Sequence, residues 1–154
     1  MHGQQALKTK IYLDTTIVSA LFDKRTPERM LQTKQFWEHI TSYDVHISDL
    51  VTDEIMAASQ PLQDQMLERV STFTSLSITN AVKHLAGIYL KNDIFPDKYS
   101  DDAVHTAIAS TNNIPILLSW NFAHLVKLKT RRMVTLINAI HNYNSIEIIA
   151  PPEL

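Results

Sequence analysis

The sequence predicts a single α/β domain: a mainly parallel sheet of about five short strands sandwiched between helices. Three observations predict it. Short apolar runs at 11–13, 45–48, 76–78, 116–119 and 146–149 recur between longer segments with helical spacing, the pattern of parallel strands joined by helical crossovers. The 154 residues are about one domain long, and no repeat, low-complexity tract or linker divides them. Hydrophobic residues at 45% and charged residues at 19% give a globular balance.

Residues 1–9 are polar and are expected to form a flexible N-terminal segment, with the domain spanning 10–154. The first strand ends at Asp14, and the helix after it carries Ile17, Val18, Ala20 and Leu21. Pro27 suits the first turn of a second helix, on which Met30, Thr33, Trp37 and Ile40 share one side. After the strand at 45–48, Ser48 or Asp49 can cap a helix reaching about residue 59, with Leu50, Val51, Glu54, Ile55 and Ala58 in its stripe. Pro61 opens a helix bearing Leu62, Met66, Val70 and Phe73. Thr79 caps one bearing Val82, Leu85, Ala86 and Tyr89. The segment 91–99 has turn chemistry, Ser100 caps a helix over 101–111, and 112–115 is a turn before the best buried strand, 116–119. A short element at 122–128 leads into a helix ending near residue 142, and a last strand precedes Pro151-Pro152.

Composition excludes several chemistries. No cysteine occurs, so a disulfide framework, a thiolate metal site and a Cys nucleophile are absent, in keeping with a reducing, cytoplasmic setting. Gly3 and Gly87 are the only glycines, too few for a phosphate-cradling loop. No apolar run approaches the roughly 20 residues of a membrane span, and the first residues lack a signal-peptide core. With 14 basic and 16 acidic residues, any nucleic-acid contact needs a local patch. Lys127, Lys129, Arg131 and Arg132 could form that patch beside the fourth strand, or simply a solvated turn.

Asp14, Glu54 and the pair Asp101/Asp102 come from three parts of the chain. In an open parallel sheet each lies at a strand's carboxyl end or early in the next helix, where ligands bind. Crowded carboxylates repel one another unless a proton or cation neutralises them, and oxygen-only ligands suit Mg²⁺ or Mn²⁺ rather than zinc. Such a metal promotes phosphodiester hydrolysis. Each acid also has a plainer role: Asp14 as a helix N-cap, Glu54 as a solvated flank, Asp101 and Asp102 as acids favoured by the helix dipole. An isolated histidine such as His105 or His124 is more often packed than functional. Trp120 and Phe122 could stack on a base, although core packing is their commoner use.

Four segments in order, Ile11-Tyr12-Leu13-Asp14-Thr15-Thr16, Ser48-Asp49-Leu50-Val51-Thr52-Asp53-Glu54-Ile55, Asp101-Asp102-Ala103-Val104-His105-Thr106-Ala107-Ile108-Ala109 and Ile116-Leu117-Leu118-Ser119-Trp120-Asn121-Phe122, resemble the motifs of the PIN-domain family, in particular its VapC-like toxins. The resemblance implies a five-stranded parallel sheet and a Mg²⁺- or Mn²⁺-dependent endoribonuclease held inactive by a cognate antitoxin. It makes Asp14, Glu54 and Asp102 the first three acids and Ser119 the hydroxyl that precedes the fourth by two positions. Thr15 and Ser119 would orient a ligand or water. Homodimers are common in the family, but no segment here marks an interface.

The fourth acid is replaced by Asn121, which offers a carbonyl oxygen without charge. Asp101 could compensate, and by helical periodicity it lies nearer the apolar stripe than Asp102; the family match prefers Asp102. Asn121 also motivates an alternative, a catalytically weak or inactive PIN-fold module that binds RNA or protein. A phosphatase with Asp14 as nucleophile fits poorly, because the second Asp such enzymes of the haloacid-dehalogenase type place two residues on is Thr16.

Overall fold

The structure, a computed structural model, describes residues 7–154. Its sheet has five strands, all parallel, in the order β3-β2-β1-β4-β5. β1 (Thr9–Leu13) is central, flanked by β2 (Tyr43–Ser48) and β4 (Ile116–Leu118), with β3 (Thr74–Leu76) and β5 (Glu147–Ile149) at the edges. The chain adds β2 and β3 on one side of β1, then crosses back to add β4 and β5 on the other. The reversal lies between β1 and β4, and the crevice outside their carboxyl ends is where such sheets bind ligands.

Among the described residues seven α-helices connect the strands: α1 (Thr15–Ser19), α2 (Pro27–Glu38), α3 (Asp49–Met56), α4 (Leu62–Val70), α5 (Asn80–Lys91), α6 (Ser100–Thr111) and α7 (Leu128–Ile140). Three begin on the side chains expected of helix caps. Asp14 accepts from the Thr16 N–H, Ser48 from Val51 and Thr79 from Val82. Ile11, Tyr12, Leu13, Leu117 and Leu118 are fully buried, as a parallel sheet's central strands must be when covered on both faces. α1, α3 and α4 pack together, and α5 packs along α6. No helix among the described residues is long and apolar enough to cross a membrane.

Several boundaries differ from the expected ones. Residues 1–6 of the N-terminal segment lie outside the described residues, and Thr9 already belongs to β1, pairing with Tyr43. Ladder bonds are made by backbone, so the exposed Thr9 and Lys10 join the strand despite their polarity. β3 falls two residues early because its register is set by pairing with β2, Thr74 opposite His46 and Leu76 opposite Ser48. On α2 the buried residues are Thr33 and Phe36, and Ile40 lies beyond the helix in a single 3-10 turn. α3 ends at Met56, three residues short of expectation. Ser100 is the first residue of α6 rather than its cap, and Tyr99 before it makes no capping bond. Residues 122–127 form turns and bends and Leu128 already opens α7, so no separate element stands there.

Candidate active site

The strand-to-helix turn at Asp14 puts a carboxylate at the end of β1, beside β4. Its backbone N–H donates to the Leu118 carbonyl at 3.2 Å, extending the ladder one step beyond the strand. The side chain is 3% exposed and fully engaged. Oδ1 accepts from the Thr16 N–H at 3.0 Å and the Thr16 hydroxyl at 2.5 Å, and Oδ2 accepts from the Ser119 hydroxyl at 2.5 Å. Burial raises the Asp14 pKa; the positive charge of His105 and the two hydroxyls oppose it only in part.

Glu54 reaches the site from α3. Its Oε1 accepts from the Thr15 hydroxyl at 2.8 Å and faces His105 Nε2 at 2.7 Å. Burial would raise its pKa, but the hydrogen bond and charge of His105, with help from Thr15, hold it below the usual carboxylate range. Asp102 arrives from the first turn of α6, where its Oδ2 accepts from Asn121 Nδ2 at 3.2 Å. Its pKa is pushed up to about 6, chiefly by burial and then by the charges of Asp14 and Glu54. Among the described residues Glu54 Oε2 and Asp102 Oδ1 have no hydrogen-bond donor from the protein.

His105, one helical turn after Asp102, is the residue the sequence undervalued. It is 3% exposed, and both ring nitrogens are used: Nε2 on Glu54 and Nδ1 on the Tyr12 hydroxyl at 2.7 Å. Burial works against its charged form, but the Glu54 hydrogen bond and the charges of Asp14, Glu54 and Asp102 outweigh this and raise its pKa. With the imidazole charged, Nδ1 donates to Tyr12, which donates on to Ser48 at 2.7 Å. Burial raises the Tyr12 pKa well above its ordinary value, so that hydroxyl stays protonated.

Tyr12 and Thr16 carry no expected role in the sequence and Ser48 only that of a helix cap; the signals for a place in this network are faint. A tyrosine in a fully buried strand must find a partner for its hydroxyl, and His105 lies three residues beyond Asp102, on the same helical side.

The remaining predicted residues stand differently toward this cluster. Thr15 and Ser119 each donate to a carboxylate, Glu54 and Asp14, so they orient acids directly. Asn121 is held at both ends, its Nδ2 on Asp102 and its Oδ1 accepting the His124 N–H at 3.0 Å. Asp101 is exposed and, among the described residues, makes no hydrogen bond into the cluster, since one residue on a helix turns the side chain by about 100° from Asp102. The basic residues divide. Lys127 and Lys129 line a cleft with the loop that carries Asp93 and Asp97, whereas Arg131 leans toward Glu153 at 3.9 Å and Arg132 is exposed. Among the described residues, no group of three His, Asp or Glu side chains stands ready to hold a metal ion.

The five-stranded parallel sheet matches a PIN-like fold, and comparison with solved structures agrees. The chain is similar to Mycobacterium tuberculosis VapC20, a sarcin-ricin loop cleaving toxin, at 19% identity and a TM-score of 0.54, over 70% of this chain and 86% of that one. It is similar to VapBC2 from Rickettsia felis, solved with a DNA fragment from its promoter, at 11% identity and a TM-score of 0.52, over 92% of this chain and 98% of that one. No protein-family model and no curated protein sequence matches. The fold is that of the VapC-like PIN-domain toxins.

Proposed function

We propose that the protein is a divalent-metal-dependent endoribonuclease, acting as the cytoplasmic toxin of a toxin–antitoxin pair. The observation that carries this reading is the convergence of Asp14, Glu54 and Asp102, from the end of β1, α3 and α6, with oxygens of Glu54 and Asp102 that accept from no protein donor among the described residues. The donor set fits Mg²⁺ or Mn²⁺: it is all hard oxygen, and burial, with the charges of Asp14 and Glu54, pushes the Asp102 pKa up to about 6, which a bound cation would lower. Asp14, Glu54 and Asp102 would hold the ion. When bound it supplies charge stabilisation at the phosphate and an acidified water.

The chain's own residues do the rest. Thr16 and Ser119 fix the Asp14 carboxylate, Thr15 and His105 fix Glu54, and Asn121 fixes Asp102. His105 offsets part of the acids' mutual repulsion, which lets three carboxylates share a half-buried site. The likeness to VapC20 supports an RNA substrate, and the likeness to VapBC2 supports a protein partner that binds this chain as an antitoxin.

The deciding experiment incubates the purified protein and Asp14→Asn with a mixed RNA substrate and Mg²⁺ or Mn²⁺. Cleavage by the wild type alone is expected; equal activity or equal inertness overturns the mechanism. Asn121 favours a second reading, a module that binds RNA or a partner without turnover, because its amide is used on both sides and adds no charge. Robust wild-type cleavage removes that reading.

A further inference from the structure

The turn after β4 carries a feature that the carboxylate site does not use. Phe122, one residue past Asn121, is 48% exposed and lines a groove of about 700 Å³ between the start of α2 and the turn after β5. The Trp120 indole forms its buried wall, 6% exposed and fixed by its ring N–H donating to the Thr33 hydroxyl at 2.9 Å. Phe122 meets that indole edge-on, with ring centroids 6.0 Å apart at 64°. The Arg29 guanidinium stands over both rings, 5.1 Å from the Trp120 centroid and 5.6 Å from that of Phe122.

A lone exposed phenylalanine needs no explanation. This one shares its groove with an immobilised indole and a guanidinium, a set that suits a flat ring carrying a negative group. The groove is also rigidly joined to the acids. The Trp120 backbone N–H donates to the Thr16 hydroxyl at 2.9 Å, Thr16 donates to Asp14, and Asn121 holds Asp102. Glu28 and Glu153 line the same groove and would repel a run of phosphates, whereas an uncharged base tolerates them.

The geometry points to this groove as a subsite for one unpaired nucleobase next to the cleaved phosphate, its ring stacked on Phe122 and its own phosphate paired with Arg29. The assignment rests on the ribonuclease reading and sharpens it. A base inside a duplex cannot reach Phe122, so the substrate presents a single-stranded or flipped-out nucleotide at this position.

The test measures binding of a short, fluorescein-labelled 2′-O-methyl oligoribonucleotide by anisotropy in EDTA, which withholds the metal that cleavage needs. Stacking on an aromatic side chain is worth roughly five- to a hundredfold in affinity per base. Phe122→Leu is expected to lose that factor, and Phe122→Trp to keep wild-type affinity. Arg29→Ala is expected to weaken binding and lower the salt slope by about 0.7. One abasic position in the oligonucleotide should cost the wild type the same factor and cost Phe122→Leu nothing further. Equal affinity of wild type and Phe122→Leu overturns the subsite. So does a Phe122→Leu protein that keeps the oligonucleotide but loses a bound protein partner, which would make the groove a peptide-docking surface. A wild type that neither binds the oligonucleotide nor cleaves RNA removes the ribonuclease reading as well, whereas equal affinities with cleavage intact remove only the subsite.

Discussion

Two buried polar networks hang on the same helix, and they are built to opposite ends. At its start α6 delivers Asp102 and His105 to the sheet's carboxyl edge; near its end, about 12 Å along the axis, Ser110 joins Tyr89 of α5 and Asn138 of α7. In the second network every atom is matched: the Tyr89 hydroxyl donates to Asn138 Oδ1 at 2.5 Å, Asn138 Nδ2 donates to Ser110 at 2.9 Å, and Ser110 lies 3.2 Å from the Tyr89 hydroxyl. The groups are neutral, with the Tyr89 pKa pushed up to about 12 by burial. The first network instead gathers three acids around one histidine and leaves carboxylate oxygens open. A closed, neutral network serves stability, and an open, charged one gives up stability for chemistry.

The comparison breaks most sharply at Asp14. Asparagine keeps the N-cap but removes the charge, so Asp14→Asn is expected to cut cleavage by more than the roughly 10–100-fold typical of a supporting residue. Because burial disfavours the Asp14 charge, thermal unfolding should show no loss of Tm and can show a gain. Asn138→Ala should do the reverse, costing roughly 1–3 kcal/mol by leaving the Tyr89 hydroxyl short of its acceptor while cleavage per folded molecule holds. If Asn138→Ala lowers activity and Asp14→Asn lowers Tm, the division of labour between the two ends of α6 is wrong.

Asn121→Asp would set a carboxylate where an amide now donates to Asp102 at 3.2 Å. Calorimetry in EDTA should read a loss on the order of 1 kcal/mol, and added Mg²⁺ should raise Tm by more than in the wild type.

Protonation of Asp102 competes with cation binding, so titration calorimetry should find Mg²⁺ affinity falling about tenfold per pH unit below about 6. In the metal-free protein the sign runs the other way. Native Asp102 keeps a proton between 3.8 and about 6 that the unfolded chain has released, so this group's contribution to stability falls as pH rises through that window. Asp102→Asn should flatten that slope. The smallest effect belongs to the basic residues: Lys129→Ala should lower the salt slope of RNA binding by about 0.7 and leave Tm unchanged.

The candidate acids are legible to different degrees: Asp14 ends the first strand, Glu54 lies on the helix that follows β2, and Asp102 lies in the first turn of α6, which follows α5. Asp14 after 11–13 needs only the rule that parallel sheets bind ligands at their carboxyl ends, whereas the choice of Asp102 over Asp101 rests on the family resemblance. Their partners were not legible. His105 and Tyr12 are 93 residues apart, and their hydrogen bond exists only because α6 docks over β1. The third strand was misplaced for a related reason: the exposed Thr74 and Ser75 have no apolar pattern of their own and are strand residues because β2 offers a free edge. In the sequence Asn121 is a missing charge; only its hydrogen bonds with Asp102 and the His124 N–H reveal it as a clasp.

By itself the sequence determined the parallel α/β architecture, the order of its elements and the candidate acids Asp14, Glu54 and the pair Asp101/Asp102, since hydrophobic periodicity and the placement of these residues are local properties of the chain. Tertiary structure alone decided that Asp102 rather than Asp101 faces the other acids, that His105 lies between Glu54 and Tyr12, and that Phe122 stands exposed beside Arg29. Those facts depend on how separate elements turn against one another when packed. No pattern of spacing along the chain encodes that rotation.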